Sequence, residues 1–275
     1  MLGSIIGDII GSTYEFNPTK DYNFQIFTEK MTFTDDSVLT FAIIDSLLNK
    51  VPFDKSIHKW GNNYPGRGYG LRFSQWLADS SPKPYNSFGN GSAMRVSPVG
   101  LILPSKKQVM KFAKYSAEVT HNHIEGIKGA QAVALAIHLA CQGVDKSKIK
   151  KEIEAEIGYD LSKTYKQIHA DYNFDETCQG SVPESLIAFF ESTDFESAIR
   201  LAVSLGGDAD TQACIVGGIA EAYYKKIPQE FIEKCTPLLT EEMRRLLTQL
   251  YKNYKLEKST LEDRMNSEDP GHITN

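Results

Sequence analysis

Two short acidic blocks contain the residues most able to do chemistry. Thr34-Asp35-Asp36-Ser37 lies in the first part of the chain, and Gly206-Gly207-Asp208-Ala209-Asp210-Thr211 lies near its end. Four carboxylates that meet in a folded protein repel one another unless cations hold them. Carboxylate and hydroxyl oxygens are ligands typical of Mg²⁺, Mn²⁺ or Ca²⁺ rather than of zinc. The two blocks therefore predict a site for two divalent ions and a metal-assisted hydrolase.

Each block is followed by an apolar pattern of helical period. Asp35 and Asp36 fall at or just before the start of a helix, where free backbone N–H groups and the helix dipole favour carboxylates. Asp208 and Asp210 stand two apart in a segment that we expect to be non-helical, so both can face one ion. Helix capping alone explains an isolated block of this kind. Two blocks in one chain favour the metal site.

A glycine-rich loop, Ser87-Phe88-Gly89-Asn90-Gly91-Ser92-Ala93-Met94-Arg95, is the third feature. Backbone N–H groups in such a loop can approach phosphate oxygens closely, and a helix start adds positive potential. Phe88 could stack on a flat ring. Arg95 could pair either with an anion or with an internal acid. The loop is compatible with phosphate binding, although glycine-rich loops have many other uses.

Two further polar groups lie near these blocks. In Thr120-His121-Asn122-His123, the sequence favours His121 as a neutral hydrogen-bonding group at a pocket wall, and His123 as a helix cap or a solvent-facing residue. Oxygen-rich ligands elsewhere argue against metal binding by either histidine. Glu15 follows Gly7 and Gly11, whose spacing predicts close helix packing. Its position at the end of that helix makes Glu15 a candidate for the same site.

The composition narrows the class of protein. The chain has 275 residues, 24% of them charged, a net charge of −5 and no basic run. A surface that binds nucleic acid mainly through phosphates is therefore disfavoured without being excluded, and a nucleotide-sized ligand remains compatible. The four cysteines form no Cys-x-x-Cys pair, which favours buried thiols in a reducing compartment.

The N-terminal residues lack the pattern of a secretory signal, and we find no apolar run close to the roughly 20 residues that cross a bilayer. The sequence thus predicts a soluble cytoplasmic protein without a membrane partner.

Strand signals are poor, and residues 22–28 alternate only briefly between apolar and polar side chains. Residues 60–92 and 157–182 are predicted as ordered loops around a cleft. We expect a single all-α domain over residues 1–255 and a polar, mobile tail over 256–275. The predicted helices are Ser37–Leu48, Lys107–Val119, Glu125–Gln142, Pro183–Glu191, Asp194–Val203, Thr211–Tyr224 and Glu241–Tyr254.

The motifs, in this order along the chain, resemble the ADP-ribosylglycohydrolase family. The resemblance rests on the Gly7-Asp8 to Glu15-Phe16 segment, Thr34-Asp35-Asp36, the Gly89 to Arg95 loop, Thr120-His121 and Gly206 to Thr211. It runs from about residue 2 to residue 235. It implies a compact orthogonal bundle of helices with two Mg²⁺ or Mn²⁺ ions in a cleft. It also implies hydrolysis of the bond between C1″ of ADP-ribose and an acceptor, in an ADP-ribosylated protein or a small conjugate.

The resemblance also implies roles for individual residues. Glu15 matches an acid on a mobile loop that is important for catalysis in serine-specific members, and Asp36 or Glu15 would deprotonate the water or assist the leaving group. The residues that match the metal ligands are Thr34, Asp35, Asp36, Asp208, Asp210 and Thr211. Those that match the substrate-binding residues are Ser87, Phe88, Gly89, Asn90, Gly91, Met94 and His121.

Two other functions are compatible with the sequence. A module that binds ADP-ribose without hydrolysing it could use the same pocket, although the intact set of six metal ligands argues against it. A different dinuclear hydrolase, such as a phosphoesterase, would also explain the acidic ligands. Sites of that kind usually recruit several histidines, and only His121 and His123 lie near a motif here. The sequence leaves the acceptor open.

Overall fold

The protein is described by a computed structural model that covers the backbone of residues 1–266 and the side chains of residues 1–254. Helices and their connections make up this part of the chain, and no β-strand occurs in it; one isolated bridge joins Gly89 to Thr177. The predicted all-α class is confirmed. The helices are α1 (Leu2–Gly11), α2 (Asp35–Asn49), α3 (Phe53–Asn63), α4 (Leu71–Ala78), α5 (Gly91–Met94), α6 (Ser97–Ile102), α7 (Lys106–Glu118), α8 (Ile124–Cys141), α9 (Lys146–Ile157), α10 (Tyr165–His169), α11 (Cys178–Glu191), α12 (Phe195–Ser204), α13 (Ala209–Tyr224), α14 (Gln229–Cys235) and α15 (Glu241–Asn266).

The crossing of α1 and α13 brings opposite ends of the sequence together. A Cβ atom added to Gly7 would lie 2.0 Å from the carbonyl oxygen of Ala213, and one added to Gly11 would lie 2.4 Å from that of Ala209. The two backbones therefore touch, and the pairing runs antiparallel. Because glycine alone leaves room for this approach, the spacing of Gly7 and Gly11 fixes how α1 sits on the start of α13.

The long helix α8 lies in the core. It has 18 residues with a mean hydropathy of 1.2, so by length and composition it could cross a membrane, contrary to the expectation from the sequence. However, 67% of it is buried inside the protein, where it packs against α6, α7 and α13. The core helix of a helical domain has the same properties, so this helix is weak evidence for a membrane.

The structure differs from the predicted element map in several places. The segments expected to be loops contain the helices α4 and α10, and α11 begins at Cys178 rather than at Pro183. Residues 22–28 form no strand; Phe24 and Ile26 are buried, so the alternation reflects side chains packed inward from a loop. The domain over residues 1–255 and the tail over 256–275 stay predictions. Helix α15 continues to Asn266, and residues 267–275 lie outside the described residues.

Candidate metal and ligand site

Both acidic blocks lie at helix starts. Thr34 caps α2, and its hydroxyl accepts a hydrogen bond from the backbone N–H of Asp36 at 3.3 Å. Gly206, with φ of +70°, turns the chain just before Asp208, which is the N-cap residue of α13. Asp210 lies in the first helical turn, so the prediction of a non-helical segment around it is wrong. The dipoles of both helices favour negative charge at these positions.

The carboxylates of both blocks meet in space. One oxygen each from Asp8, Asp36 and Asp210 lie within 4.8 Å of one another, and the same holds for Glu15, Asp208 and Asp210. Asp210 belongs to both groups. The structure thus brings together acids from the two ends of the chain, in two overlapping groups that share one residue.

Asp8 is fully buried on α1 and is held by donors from the start of α2. Its carboxylate accepts hydrogen bonds from the Thr34 backbone N–H (3.0 Å), the Thr34 hydroxyl (2.6 Å), the Ser37 backbone N–H (3.1 Å) and the Ser37 hydroxyl. Burial raises the pKa of Asp8 to about 6, although these four hydrogen bonds act in the opposite direction. Asp8 therefore fixes the start of α2 relative to α1.

Asp36 carries the clearest sign of a missing partner. Its Oδ2 accepts a hydrogen bond from the Thr211 hydroxyl at 3.3 Å, whereas its Oδ1 is buried without any hydrogen-bond partner. Burial, and then the neighbouring carboxylates of Asp210 and Asp8, raise the pKa of Asp36 well above its usual value. A buried carboxylate oxygen of this kind needs a proton or a cation to compensate it.

Cationic side chains do not supply the compensation. Among the side chains of residues 1–254, no lysine or arginine forms an ion pair with an acid of this cluster. Burial raises the pKa of Asp208 to about 6, and burial together with Asp208 raises the pKa of Asp210 well above its usual value. The donor set is all oxygen, so the residues fit hard divalent cations.

Thr34 and Asp35 are less central than the sequence suggests. The Thr34 side chain is hydrogen-bonded to Asp8 and is 8% exposed, and it does not line the cavity beside the cluster. Asp35 is half-buried and lines that cavity, but it belongs to neither group of three carboxylates. Burial, and next Asp210, raise the pKa of Asp35 well above its usual value. Their predicted role as metal ligands stays a prediction.

A cavity of about 340 Å³ opens beside the acidic cluster. Its size lies within the range of small-molecule sites. Of the predicted site residues, Thr34 and Phe88 do not line it. The lining comprises Glu15, Asp35, Asp36, Leu39, Gly68, Gly70, Leu71, Arg72, Phe73, Tyr85, Ser87, Gly89, Asn90, Gly91, Met94, Arg95, His121, Phe174, Glu176, Asp208, Asp210 and Thr211.

The glycine-rich loop forms the wall next to the cluster. Asn90 joins the two, because its side-chain amide donates to Asp208 at 2.7 Å while its backbone N–H donates to the Glu176 carbonyl at 2.8 Å. Phe88 is 43% exposed, and its ring makes a T-shaped contact with the His123 ring, with ring centroids 5.4 Å apart. His123 caps α8 by accepting from the Glu125 backbone N–H at 3.1 Å, as the capping alternative predicted.

Glu15 lies on a loop with many anchors. The preceding residue, Tyr14, is buried and its hydroxyl donates to the Gln25 carbonyl at 2.6 Å. Further along, the Lys20 ammonium group donates to the carbonyls of Tyr172 (2.6 Å) and Leu205 (2.5 Å). Burial, and next the Asp210 carboxylate, raise the pKa of Glu15 to about 8. The loop thus holds a carboxyl group that is easily protonated over the cluster.

Reasoning from the sequence missed several residues of the site. Asp8 appeared in the Gly7-Asp8 motif without a role, and a charged residue within an apolar helix was the signal that could have identified it. Arg72 and Tyr85 lie in a segment expected to be a loop, and the Arg72 guanidinium packs 4.9 Å from the centre of the Tyr85 ring. Phe174 and Glu176 come from the other such segment. Nothing in their local spacing indicates a common cavity.

Comparisons with known proteins agree with this fold. The family model for ADP-ribosylglycohydrolase matches residues 1–260. ADP-ribosylhydrolase ARH3 of Mus musculus is 29% identical, with 90% of this chain and 90% of the relative covered. ADP-ribosylarginine hydrolase Tri1 of Pseudomonas putida (strain GB-1) is 25% identical, with 85% of this chain and 72% of the relative covered.

A solved structure of an ADP-ribosylglycohydrolase-related protein complex is similar as well. It superposes with a TM-score of 0.73 at 26% identity, over 91% of this chain and 95% of that chain. The family match spans nearly the whole sequence, and the helical architecture agrees with it. This chain therefore belongs to the ADP-ribosylglycohydrolase family.

Proposed function

We propose that the protein is a metal-dependent ADP-ribosyl hydrolase that cleaves the C1″ glycosidic bond between ADP-ribose and an acceptor such as a protein Arg or Ser side chain. Relatives named ADP-ribosylhydrolases support the glycohydrolase activity. One observation carries the proposal beyond the family. Two groups of carboxylates that share Asp210 lie beside a cavity lined by a glycine-rich loop.

The proposal includes two Mg²⁺ ions, with Mn²⁺ as the alternative. When bound, such cations would offset the negative charge of the cluster and lower the pKa of a water molecule. The Asp8 oxygens already accept from Thr34 and Ser37, so we assign Asp8 the role of orienting the Thr34 hydroxyl. The residues proposed to hold the ions are Thr34, Asp35, Asp36, Asp208, Asp210 and Thr211.

Glu15 and Asp36 are the two carboxyl groups that could transfer a proton during hydrolysis. Glu15 lines the cavity, and the pKa of Glu15 lies near 8 in the protein without cations, because burial and Asp210 disfavour its charge. Asp36 has one oxygen without a partner. A general acid or base works best with a pKa near the working pH. We therefore propose Glu15 as the group that exchanges a proton with the water or the leaving group, with Asp36 as the alternative.

The remaining parts of the proposal concern the substrate and its location. ADP-ribose would lie along Ser87, Gly89 and Asn90, where remote binding energy fixes its orientation. The acceptor would be part of an ADP-ribosylated protein or a small conjugate, and the name of the Tri1 relative supports arginine as one candidate.

We also propose a cytoplasmic location. None of the four cysteines of the described chain forms a disulfide, which supports this location.

The decisive experiment is a release assay across defined ADP-ribosyl linkages. ADP-ribosyl-arginine, ADP-ribosyl-serine and O-acetyl-ADP-ribose are incubated with the protein in Mg²⁺ and in EDTA. We expect release of ADP-ribose from at least one linkage, in Mg²⁺ only. Asp208→Ala should abolish this release and the thermal stabilisation by Mg²⁺, whereas the exposed Asp54→Ala should change neither.

Each failure of this assay has a separate meaning. Full activity of Asp208→Ala would contradict the two-ion site. ADP-ribose that binds without release from any linkage would favour the binding module. Hydrolysis of a generic phosphodiester at a high, Mg²⁺-dependent rate would favour a phosphoesterase.

A further inference from the structure

Arg95 is a buried cation that forms no ion pair with an acidic side chain of residues 1–254. Its side chain is 0% exposed, and one terminal nitrogen, Nη2, donates to the Ser116 carbonyl and to the Thr120 hydroxyl, both at 2.9 Å. Its Nε and Nη1 have no hydrogen-bond partner among the described residues. Because these nitrogens are buried, Arg95 can influence a ligand in the cavity only through its neighbours.

Thr120 connects Arg95 to His121 through two hydrogen bonds. A guanidinium group only donates hydrogen bonds, so the Thr120 oxygen accepts from Arg95. The hydroxyl hydrogen of Thr120 is then available to His121 Nδ1, which lies 2.7 Å away. Nδ1 is therefore an acceptor, and a neutral His121 carries its proton on Nε2. In the reversed order, Thr120 would accept from both Arg95 and Nδ1, and its buried hydroxyl hydrogen would have no acceptor among the described residues.

The surroundings keep His121 neutral. Burial lowers the pKa of His121 well below its usual value, and the positive charges of Arg95 and Arg72 act in the same direction. A proton on Nδ1 would also remove the acceptor of the Thr120 hydroxyl hydrogen. The imidazole therefore presents a single N–H donor.

That donor faces the glycine-rich loop. A Cβ atom added to Gly91 would lie 3.1 Å from His121 Nε2, and one added to Gly89 would lie 3.6 Å from it. His121 lines the cavity together with both glycines. In the described structure, the ring makes no hydrogen bond besides the one to Thr120. The Nε2–H group thus lies at the cavity wall and lacks an acceptor.

We propose that Arg95 and Thr120 are positioning residues that hold His121 as a neutral Nε2–H donor to an oxygen atom of the bound ADP-ribose. The identity of this ligand rests on the proposed function. The tautomer and its control by Arg95 and Thr120 do not depend on it. His121 is then neither a general base nor a cationic anchor, and its fixed hydrogen bond orients the ligand.

Nitrogen NMR of protein labelled at histidine tests the tautomer directly, in the absence of ligand. At neutral pH we expect the His121 signals of a neutral ring protonated on Nε2. Thr120→Val removes the hydroxyl that donates to Nδ1, so it should give a mixture of tautomers. Thr120→Ser keeps the hydroxyl and should restore the Nε2–H form. Thr248→Val, on the exposed face of α15, is the matched control.

Calorimetric titration with ADP-ribose gives the functional readout. We expect Thr120→Val to weaken ADP-ribose binding about tenfold, the magnitude of one lost hydrogen bond. Thr120→Ser and Thr248→Val should bind like the wild type. Arg95→Met should act in the same direction as Thr120→Val.

A wild-type spectrum with His121 charged or protonated on Nδ1 would overturn the inference, whether or not the variants fold. An unchanged tautomer and affinity in a folded Thr120→Val would do the same. A wild type with the Nε2–H form that binds no ADP-ribose would instead contradict the proposed function.

Discussion

Two walls of the same cavity bury opposite charges, and neither charge forms an ion pair with a side chain of residues 1–254. The acidic wall holds Asp36 and Asp210 without a lysine or arginine ion pair among the described side chains. The loop wall, formed by the glycine-rich loop, holds Arg95, two of whose nitrogens have no hydrogen-bond partner among the described residues. An uncompensated buried charge destabilises a fold. The comparison teaches that bound cations would compensate the acidic wall, whereas Arg95 acts on a ligand only through Thr120 and His121.

The walls also differ in how they are built. The acidic wall comes from helix starts locked by the crossing of α1 and α13, whereas the other comes from a loop that Thr120 and Asn90 tie to its surroundings. A charge change should therefore affect the acidic wall through cation binding. A change of shape should affect the loop wall through ligand binding.

The largest effect is expected for Asp210→Asn, since Asp210 belongs to both carboxylate groups. We expect activity to fall about a thousandfold, which corresponds to about 4 kcal/mol of the several kcal/mol that bound metal ions contribute. Calorimetry should also show a loss of Mg²⁺ binding. The exposed Asp171→Asn is the control. Wild-type Mg²⁺ affinity in Asp210→Asn would show that the two groups do not act as one site.

Gly7→Ala should break the packing that holds the acidic wall. The added Cβ would lie 2.0 Å from the Ala213 carbonyl oxygen, so the two helices must separate. We expect the free energy of unfolding to fall by about 3 kcal/mol, the upper range for overpacking. Urea denaturation measures this. An unchanged stability would mean that the crossing adapts easily and does not fix the site.

Acidification should stabilise the acidic wall when no cation is bound, and measurements in EDTA test this. The pKa values of Asp8 and Asp208 in the folded protein are about 6 and that of Glu15 is about 8, all above the values near 4 in an unfolded chain. The folded state therefore binds more protons between these values. The contribution of these three groups to stability is therefore greatest below about pH 4 and falls as the pH rises to about 8.

Urea unfolding in EDTA at several pH values measures this slope, and added Mg²⁺ should reduce it. Asp210→Asn should flatten the slope without Mg²⁺, because one source of repulsion is gone. Greater stability at alkaline than at acidic pH in EDTA would show that repulsion among the carboxylates of the cluster does not destabilise the folded protein.

Gly91→Ala should have the smallest effect and should be confined to the loop wall. The added Cβ would lie 3.1 Å from His121 Nε2 and displace the ring or the ligand. We expect ADP-ribose binding to weaken about tenfold, equivalent to about 1.4 kcal/mol. Mg²⁺ binding should stay as in the wild type. A parallel loss of Mg²⁺ affinity would show that the two walls are not separable.

Local patterns were sufficient to predict the fold class and the approach of the two acidic blocks. Capping residues and apolar period, which are local signals, predict helix starts at Ser37 and Thr211, each two residues after the observed starts at Asp35 and Ala209. The role of Asp8 was not predictable in this way, because its donors Thr34 and Ser37 arrive from another helix. Short helices such as α4 were also not predicted, because packing of residues such as Phe73 stabilises them more than their own sequence does.

The crossing of α1 and α13 has a consequence for biosynthesis. A nascent polypeptide leaves the ribosome from its N-terminus, so α1 emerges long before α13 exists to cover its glycine face. The glycine face of α1 therefore stays uncovered until α13 has also been synthesised. Asp36 and Asp210 can hold a cation together only after that moment, so we expect ion capture to be a late event in the maturation of the protein.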